Sequence, residues 1–367
     1  MNSIFSFFTG AGFLDLGFEH AGFRIDMVNE FDADFLRCYR HSRRHLGSPP
    51  PRYGYHLGSV EDMLSPGRIQ LLKRLMKDVR SEGRTVGFIG GPPCPDFSVG
   101  GKNAGQSGDN GRLTGVYFDL IRTARPDFFV FENVEGLWRT KVHRAFYDAL
   151  KAEARLAGYV LHDRLVNAIH YGVPQDRSRI FLVGILDGKE DLPFPWTAGM
   201  THDESVFNAS WPNENAFGDL DTATPPVGIP IELTVQHWFE RNRTSTHPNA
   251  SRYFTPRSEK FTTIPEGSVK AKSFKRLHRW RYSPTACYGN NEVHLHPYEP
   301  RRISVAEALA IQSLPQDFQL PNDMTLSDSF KTIGNGVPYL AAYGLAVSVG
   351  IMLDSERDCS HVAALAA

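Results

Sequence analysis

The chain has 367 residues, of which 41% are hydrophobic and 22% charged, with a formal net charge of −1. This is ordinary globular composition, and it excludes a disordered or collagen-like chain. No run of roughly 18 consecutive apolar residues marks a membrane span. The four cysteines, Cys38, Cys94, Cys287 and Cys359, have no CxxC spacing, so neither a metal site nor a disulfide framework is indicated. Reduced cysteines in a cytosolic protein are expected.

The N-terminus has no basic leader and no cleavage site, so it reads as a buried strand. That strand covers Ile4–Phe8, and a helix follows over Leu14–Ala21. A second strand at Met27–Asn29 leads to a helix through Ala33–Tyr39. A helix over Ile69–Val79 precedes a strand over Val86–Ile89, closed by Gly90-Gly91-Pro92-Pro93. A helix over Val116–Ala124, a strand over Phe128–Phe131, a helix over His143–Ala157 and a strand over Ile180–Ile185 complete the series. The alternation predicts an α/β fold with a doubly wound, mostly parallel sheet, whose ligands bind at the carboxyl ends of the strands.

After about residue 187, Pro and Gly rise and apolar periodicity fades. Helical patterns return at Val305–Ser313 and Tyr339–Leu353. The expected organisation is one domain from 1–187 plus 302–354, a smaller irregular domain over 188–301, and a frayed tail over 355–367. From Arg241 to Arg302 there are thirteen Lys and Arg against four Glu. A basic stripe in a near-neutral chain suits a polyanion-binding face.

Candidate chemistry follows the strands. Phe8-Thr9-Gly10-Ala11-Gly12 would let a ligand approach the backbone, and Glu30 could accept bonds from two ribose hydroxyls beside a stacking Phe31. The alternative is a plain turn plus a surface Glu. The spacing departs from GxGxxG. Cys94 sits between prolines just past a strand, where a rigid turn would present a thiolate; the alternative is a small buried hydrophobe. Glu132 ends an apolar strand, where burial would keep it protonated and able to donate; the alternative is a capping or surface Glu. Gln175, Arg177 and Arg179 share one face of an extended segment, and two arginines there want an anionic or carbonyl-rich partner; the alternative is a solvated edge. The segment Val99–Gly115 carries six glycines, as expected of a mobile lid beside Cys94.

The ordered set GPPC, ENV, QxRxR and Gly334-Asn335-Gly336-Val337-Pro338 resembles the DNA cytosine-5 methyltransferase family. Arg302-Ile303-Ser304 with Glu307 and Gln312, and Ser283-Pro284-Thr285, add to the likeness, which covers nearly the whole chain outside the middle segment. The resemblance implies a Rossmann-like class I fold that uses S-adenosylmethionine and releases S-adenosylhomocysteine, with no metal. It implies that Cys94 attacks carbon 6 of a flipped-out cytosine, that Glu132 protonates nitrogen 3, that Arg179 binds the base oxygen and that Arg177 supports the pocket. Phe8, Gly10, Gly12, Glu30, Phe31, Ser59, Val60, Leu113 and Asn335 would line the cofactor. Residues 188–301 would read double-stranded DNA. Ser98, Lys102, Arg112, Arg241, Arg243, Arg252, Arg257, Arg279, Arg281 and Thr285 are the candidate contacts.

Three departures stand out. Pro95-Asp96 follows Cys94 where the family usually has Gln nearby. Gly58-Ser59-Val60 stands where it often has an adenine-contacting Asp, and Gly336 replaces a more usual Ala. The implied setting is a monomeric, cytoplasmic, nucleoid-associated prokaryotic or phage enzyme. It would protect host DNA from a cognate restriction endonuclease encoded nearby, not a physical subunit, and would have no membrane partner. The rivals are a transfer-RNA cytosine methyltransferase, a catalytically silent DNA-binding relative and a nicotinamide oxidoreductase.

Overall fold

The computed structural model describes residues 2–93, 109–219, 224–288 and 292–366, with the backbone alone at 109–110 and 359–366. Seven strands form one sheet in the order β3-β2-β1-β4-β5-β7-β6. They are β1 (Ser3–Phe7), β2 (Arg24–Glu30), β3 (Tyr55–Leu57), β4 (Val86–Gly90), β5 (Phe128–Val134), β6 (Tyr159–Asn167) and β7 (Ser178–Leu186). The first five run parallel, and β7 lies antiparallel between β5 and β6. β1 and β4 are buried at every residue, as continuous apolar strands covered on both faces must be. The chain leaves β1 towards β2 and returns on the other side at β4. This opens a crevice at their carboxyl ends, where ligands bind on such sheets.

The helices are α1 (Phe13–His20), α2 (Ala33–His45), α3 (Pro66–Ser81), α4 (Asp109–Ala124), α5 (Glu135–Arg139), α6 (Lys141–Leu156), α7 (Val235–Arg241), α8 (Lys260–Thr263), α9 (Val305–Ile311), α10 (Leu326–Asn335) and α11 (Tyr339–Ala366). α1 and α11 bury one face of the sheet, and α3, α4 and α6 bury the other. α11 continues well past Leu353, where the sequence suggested a frayed end. Arg357 donates to Asn2 Oδ1 (2.5 Å), and Glu356 accepts from the Lys189 amide (2.9 Å). Residues Leu326–Asp358 are apolar enough to cross a membrane by length and composition, but 61% of their apolar 18-residue window is buried in the protein. Packing against α1 accounts for that apolarity.

The segment between β7 and α9 is irregular, as its composition predicts. Side chains bonded to backbone hold it together. Arg276 is fully buried and donates to the carbonyls of Phe261 (2.6 Å), Ile264 (2.8 Å), His296 (2.6 Å) and Glu299 (3.1 Å). A third apolar cluster joins this segment, through Trp238, Leu277 and Ala286, to Phe13 and Leu16 of α1 and to α9 and α10. Arg276→Met would strip four carbonyls of their donor. It should destabilise the protein by about 2–4 kcal/mol in urea titration.

Candidate active site

Glu132 lies on β5 opposite Phe181 of β7, and Arg179 lies two residues back along β7, opposite Val134. Positions two apart share a face, so Glu132 and Arg179 are diagonal neighbours across the ladder. Arg179 Nε is 3.1 Å from Glu132 Oε1, with the side chains 14% and 10% exposed. Burial raises the carboxyl pKa above its ordinary 4.5, and the Arg179 and Arg177 charges oppose that rise.

The turn after β4 is fitted to this carboxyl. Gly90 pairs with Phe131, which brings Gly91 beside Glu132. A Cβ on Gly91 would stand 2.7 Å from Glu132 Oε2, so a side chain there would displace the carboxylate. Asn133 Nδ2 reaches the Pro92 carbonyl (3.5 Å), tying the ENV turn to the proline turn. Asn133 received no role from the sequence; a polar amide at the end of an apolar strand was the available signal. Cys94, Ser98 and Lys102 lie outside the described residues, as does most of the glycine-rich segment.

Gln175 and Arg177 are both buried, and together they hold one residue of the middle segment. The Ala286 amide donates to Gln175 Oε1 (3.0 Å), and Arg177 Nη1 donates to the Ala286 carbonyl (3.2 Å). Arg177 Nη2 also reaches the carbonyls of Gly334 (2.8 Å) and Gly336 (3.1 Å) on either side of Asn335. Burial and the Arg179 charge bring the Arg177 pKa below the ordinary arginine value. Arg177 thus bonds carbonyls, while Arg179 pairs with the Glu132 carboxylate and also donates to the Ser178 carbonyl (2.7 Å).

The predicted cofactor residues gather at the crevice. The Gly10 amide donates to Glu30 Oε2 (2.7 Å), and Glu30 Oε1 accepts from the Asp32 amide (2.9 Å). The Phe31 ring is 75% exposed. Phe8, Val60 and Leu113 belong to one apolar cluster. Ser59 Oγ accepts from the Glu61 amide (3.2 Å), capping a short turn. Asn335 is exposed at the end of α10, and Gly336 after it packs against Phe13. A Cβ on Gly336 would come within 2.2 Å of that ring, which explains glycine in place of Ala.

The DNA candidates divide. Arg241, Arg243 and Arg257 are exposed. Arg112 is ion-paired with Glu61, and Arg281 donates to the Pro212 carbonyl (3.4 Å). Arg252 donates to the carbonyls of Pro321 (2.8 Å) and Met324 and to Ser329 Oγ (3.1 Å). Those bonds engage the Arg252 guanidinium within the protein. Arg279 is likewise committed to the buried Glu266 (2.9 and 2.8 Å), and Thr285 to the Asp176 carbonyl (2.6 Å). The basic stripe is therefore partly scaffold.

A mostly parallel seven-stranded sheet, with the crevice and the Glu132 pocket at its carboxyl edge, defines a class I S-adenosylmethionine-dependent methyltransferase fold. A DNA modification methyltransferase encoded within an E. coli prophage superposes with a TM-score of 0.62 at 21% identity, covering 96% of this chain and all of that one. Spodoptera frugiperda DNMT2 superposes at 0.57 with 14% identity, covering 96% and 100%. The C-5 cytosine-specific DNA methylase profile matches residues 2–350, and the chain belongs to that family. It is 55% identical over 359 residues to Type II methyltransferase M.NmeDI of Neisseria meningitidis serogroup C, covering 97% of this chain and 85% of that protein. It is 31% identical over 365 residues to Type II methyltransferase M.XorII of Xanthomonas oryzae pv. oryzae, covering 91% and 81%. The protein is a DNA (cytosine-5-)-methyltransferase.

The crevice fits the S-adenosylmethionine that this family uses. Space is open beside Gly10, where a Cβ would meet no atom within 4 Å. The buried Glu30 carboxylate and the bare Phe31 ring stand at its edge.

Because folding raises the Glu132 pKa, ionising this group costs folding free energy. Wild-type stability relative to Glu132→Gln should therefore fall as pH rises from about 4.5 upward. Paired thermal melts at pH 5 and pH 8 check this, and a wild type that gains on the variant with rising pH contradicts it.

Proposed function

We propose that the protein methylates carbon 5 of a cytosine flipped out of duplex DNA, through a covalent adduct between Cys94 and carbon 6. The observation that supports this most is the Glu132 carboxyl, buried against Arg179 and fitted to Gly91, three residues before Cys94.

Carbon 5 of cytosine is a weak nucleophile, and addition at carbon 6 makes it enamine-like. In the proposed sequence the Cys94 sulfur bonds to carbon 6 while nitrogen 3 takes a proton from Glu132, so no negative charge builds on the ring. A raised carboxyl pKa suits Glu132 to this donation. Arg179 orients Glu132 and, in this role, also donates to the base oxygen. Arg177 fixes the walls of the pocket. The bound cofactor supplies an electrophilic methyl group on its sulfonium. Loss of the carbon 5 proton to a base then expels the Cys94 sulfur, and nitrogen 3 returns its proton to Glu132. Extruding the base costs a few kcal/mol, offset by contacts to the flipped ring.

In this reading residues 1–187 and 302–354 carry catalysis and the cofactor, and 188–301 read the target. Exposed Arg241, Arg243 and Arg257 meet DNA, and Arg112 and Arg281 stand near enough to the surface to join them. The enzyme acts as a monomer in a type II restriction-modification setting, as the names of its relatives suggest, in the cytoplasm at the nucleoid.

Labelled methyl transfer to duplex DNA and to transfer RNA tests the substrate. The expected product is 5-methylcytosine in the duplex alone. Cys94→Ser should lower turnover by about 10⁴-fold or more while S-adenosylhomocysteine binding persists. Transfer to RNA only, or an active Cys94→Ser, would overturn the reading.

A further inference from the structure

The turn after β1 is an unusual piece of backbone. Phe8 (φ 54°), Gly10 (φ 53°) and Gly12 (φ 81°) are all left-handed within five residues. A non-glycine residue in that region is strained and persists only where its surroundings over-determine it. One end of the turn is held by Glu30, which accepts from the Gly10 amide. The other end is held by Arg43 of α2.

Arg43 is 2% exposed, an unusual place for a guanidinium. Its Nη2 donates to the Gly12 carbonyl (2.7 Å), and its Nε lies 2.7 Å from Glu19 Oε2. The guanidinium stands over the Tyr39 ring, 4.6 Å from its centroid. That ring packs so closely under Gly12 that a Cβ would meet it at 2.5 Å. Asp15, 1% exposed, borders the same network and accepts from Ser6 Oγ of β1 (2.7 Å). Burial pushes the Glu19 carboxyl up to about 7 and raises Asp15, with Arg43 opposing both.

We propose that Arg43 is a positioning residue for the cofactor: its buried guanidinium, anchored by Glu19, fixes the Gly12 peptide and so the left-handed turn that the cofactor meets. Arg43 touches neither cofactor nor DNA in this account. It acts by holding a strained backbone ready before the ligand arrives, which lowers the ordering cost of binding. The proposal rests on the reading of the Phe8–Gly12 turn as the cofactor seat.

The test uses the full chain and titrates S-adenosylhomocysteine by calorimetry, beside steady-state kinetics on duplex DNA. Arg43→Met alone would leave a buried carboxylate uncompensated and could unfold the protein. The double variant Glu19→Gln/Arg43→Met keeps the volume and removes both charges. It should weaken S-adenosylhomocysteine binding and raise the cofactor KM by about tenfold or more. The kcat at saturating cofactor and the DNA KM should stay within about threefold of wild type. Arg43→Lys, with one donor still able to reach the Gly12 carbonyl, should recover part of the affinity. A double variant with a lower melting temperature but wild-type cofactor affinity overturns the proposal. So does equal loss in cofactor affinity, kcat and DNA KM. A wild type that binds no S-adenosylhomocysteine overturns the cofactor reading beneath it, whereas wild-type binding matched by the double variant sinks the Arg43 proposal alone.

Discussion

A carboxylate at the end of a sheet strand, walled off from water, is costly to keep. Taking one ion out of water costs several kcal/mol even after relaxation, and removing the partner of a buried pair costs about 3–5 kcal/mol. Glu132 is tolerable because the antiparallel β7 sets Arg179 on its diagonal. Had β7 slipped by one residue, Arg179 would face the other side of the sheet; had it run parallel, Arg179, its second residue, would lie at the amino edge, away from Glu132. The one reversed strand between β5 and β6 therefore gives the pocket its guanidinium, and through it the whole proposed chemistry.

The rest of the carboxyl edge is arranged around that pair. Asn133 ties the β5 turn to Pro92, and Gly91 leaves room for the Glu132 oxygens. Gln175 and Arg177 reach from the start of β7 to Ala286, and Arg177 continues to the carbonyls flanking Asn335. Three distant stretches of sequence are thus pinned through one buried arginine. The middle segment does not hang from the sheet by its ends alone, since it shares an apolar cluster with α1, α9 and α10. A DNA-induced shift in that segment would be felt where Glu132 and Asn335 sit.

The central strands were legible because β1, β4, β5 and β7 are apolar runs buried on both faces. β3 is not marked in the sequence, because Tyr55–Leu57 is only three residues, two half-buried and one exposed, with no alternation. β6 reads Tyr-Val-Leu-His-Asp-Arg-Leu-Val-Asn, an edge strand whose charges mask its periodicity. α10 went unread because Leu326–Asn335 mixes Ser, Asp, Lys and Thr among its few apolar positions. The Glu132, Arg177 and Arg179 constellation is visible as motif spacing, and the resemblance gives the two arginines separate roles, but the protein groups each one bonds are not visible. Which arginine meets carbonyls and which meets the carboxylate depends on β7 pairing. The basic stripe mixes exposed arginines with arginines bonded inside the protein. A sequence cannot separate an exposed Arg257 from an Arg276 that gathers four carbonyls. Arg43 was hidden for the same reason, because His-Ser-Arg-Arg-His reads as a solvated helix face.

The central claim is that the Cys94 thiol bonds to the target ring. Duplex DNA carrying 5-fluorocytosine tests this directly, because fluorine at carbon 5 cannot leave as a proton does and the adduct persists. With S-adenosylmethionine present, peptide mapping of the trapped complex should place the DNA on the peptide that contains Cys94. Trapping on the exposed Cys287 instead, or methylation of ordinary duplex with no adduct on the fluorinated one, would contradict the account.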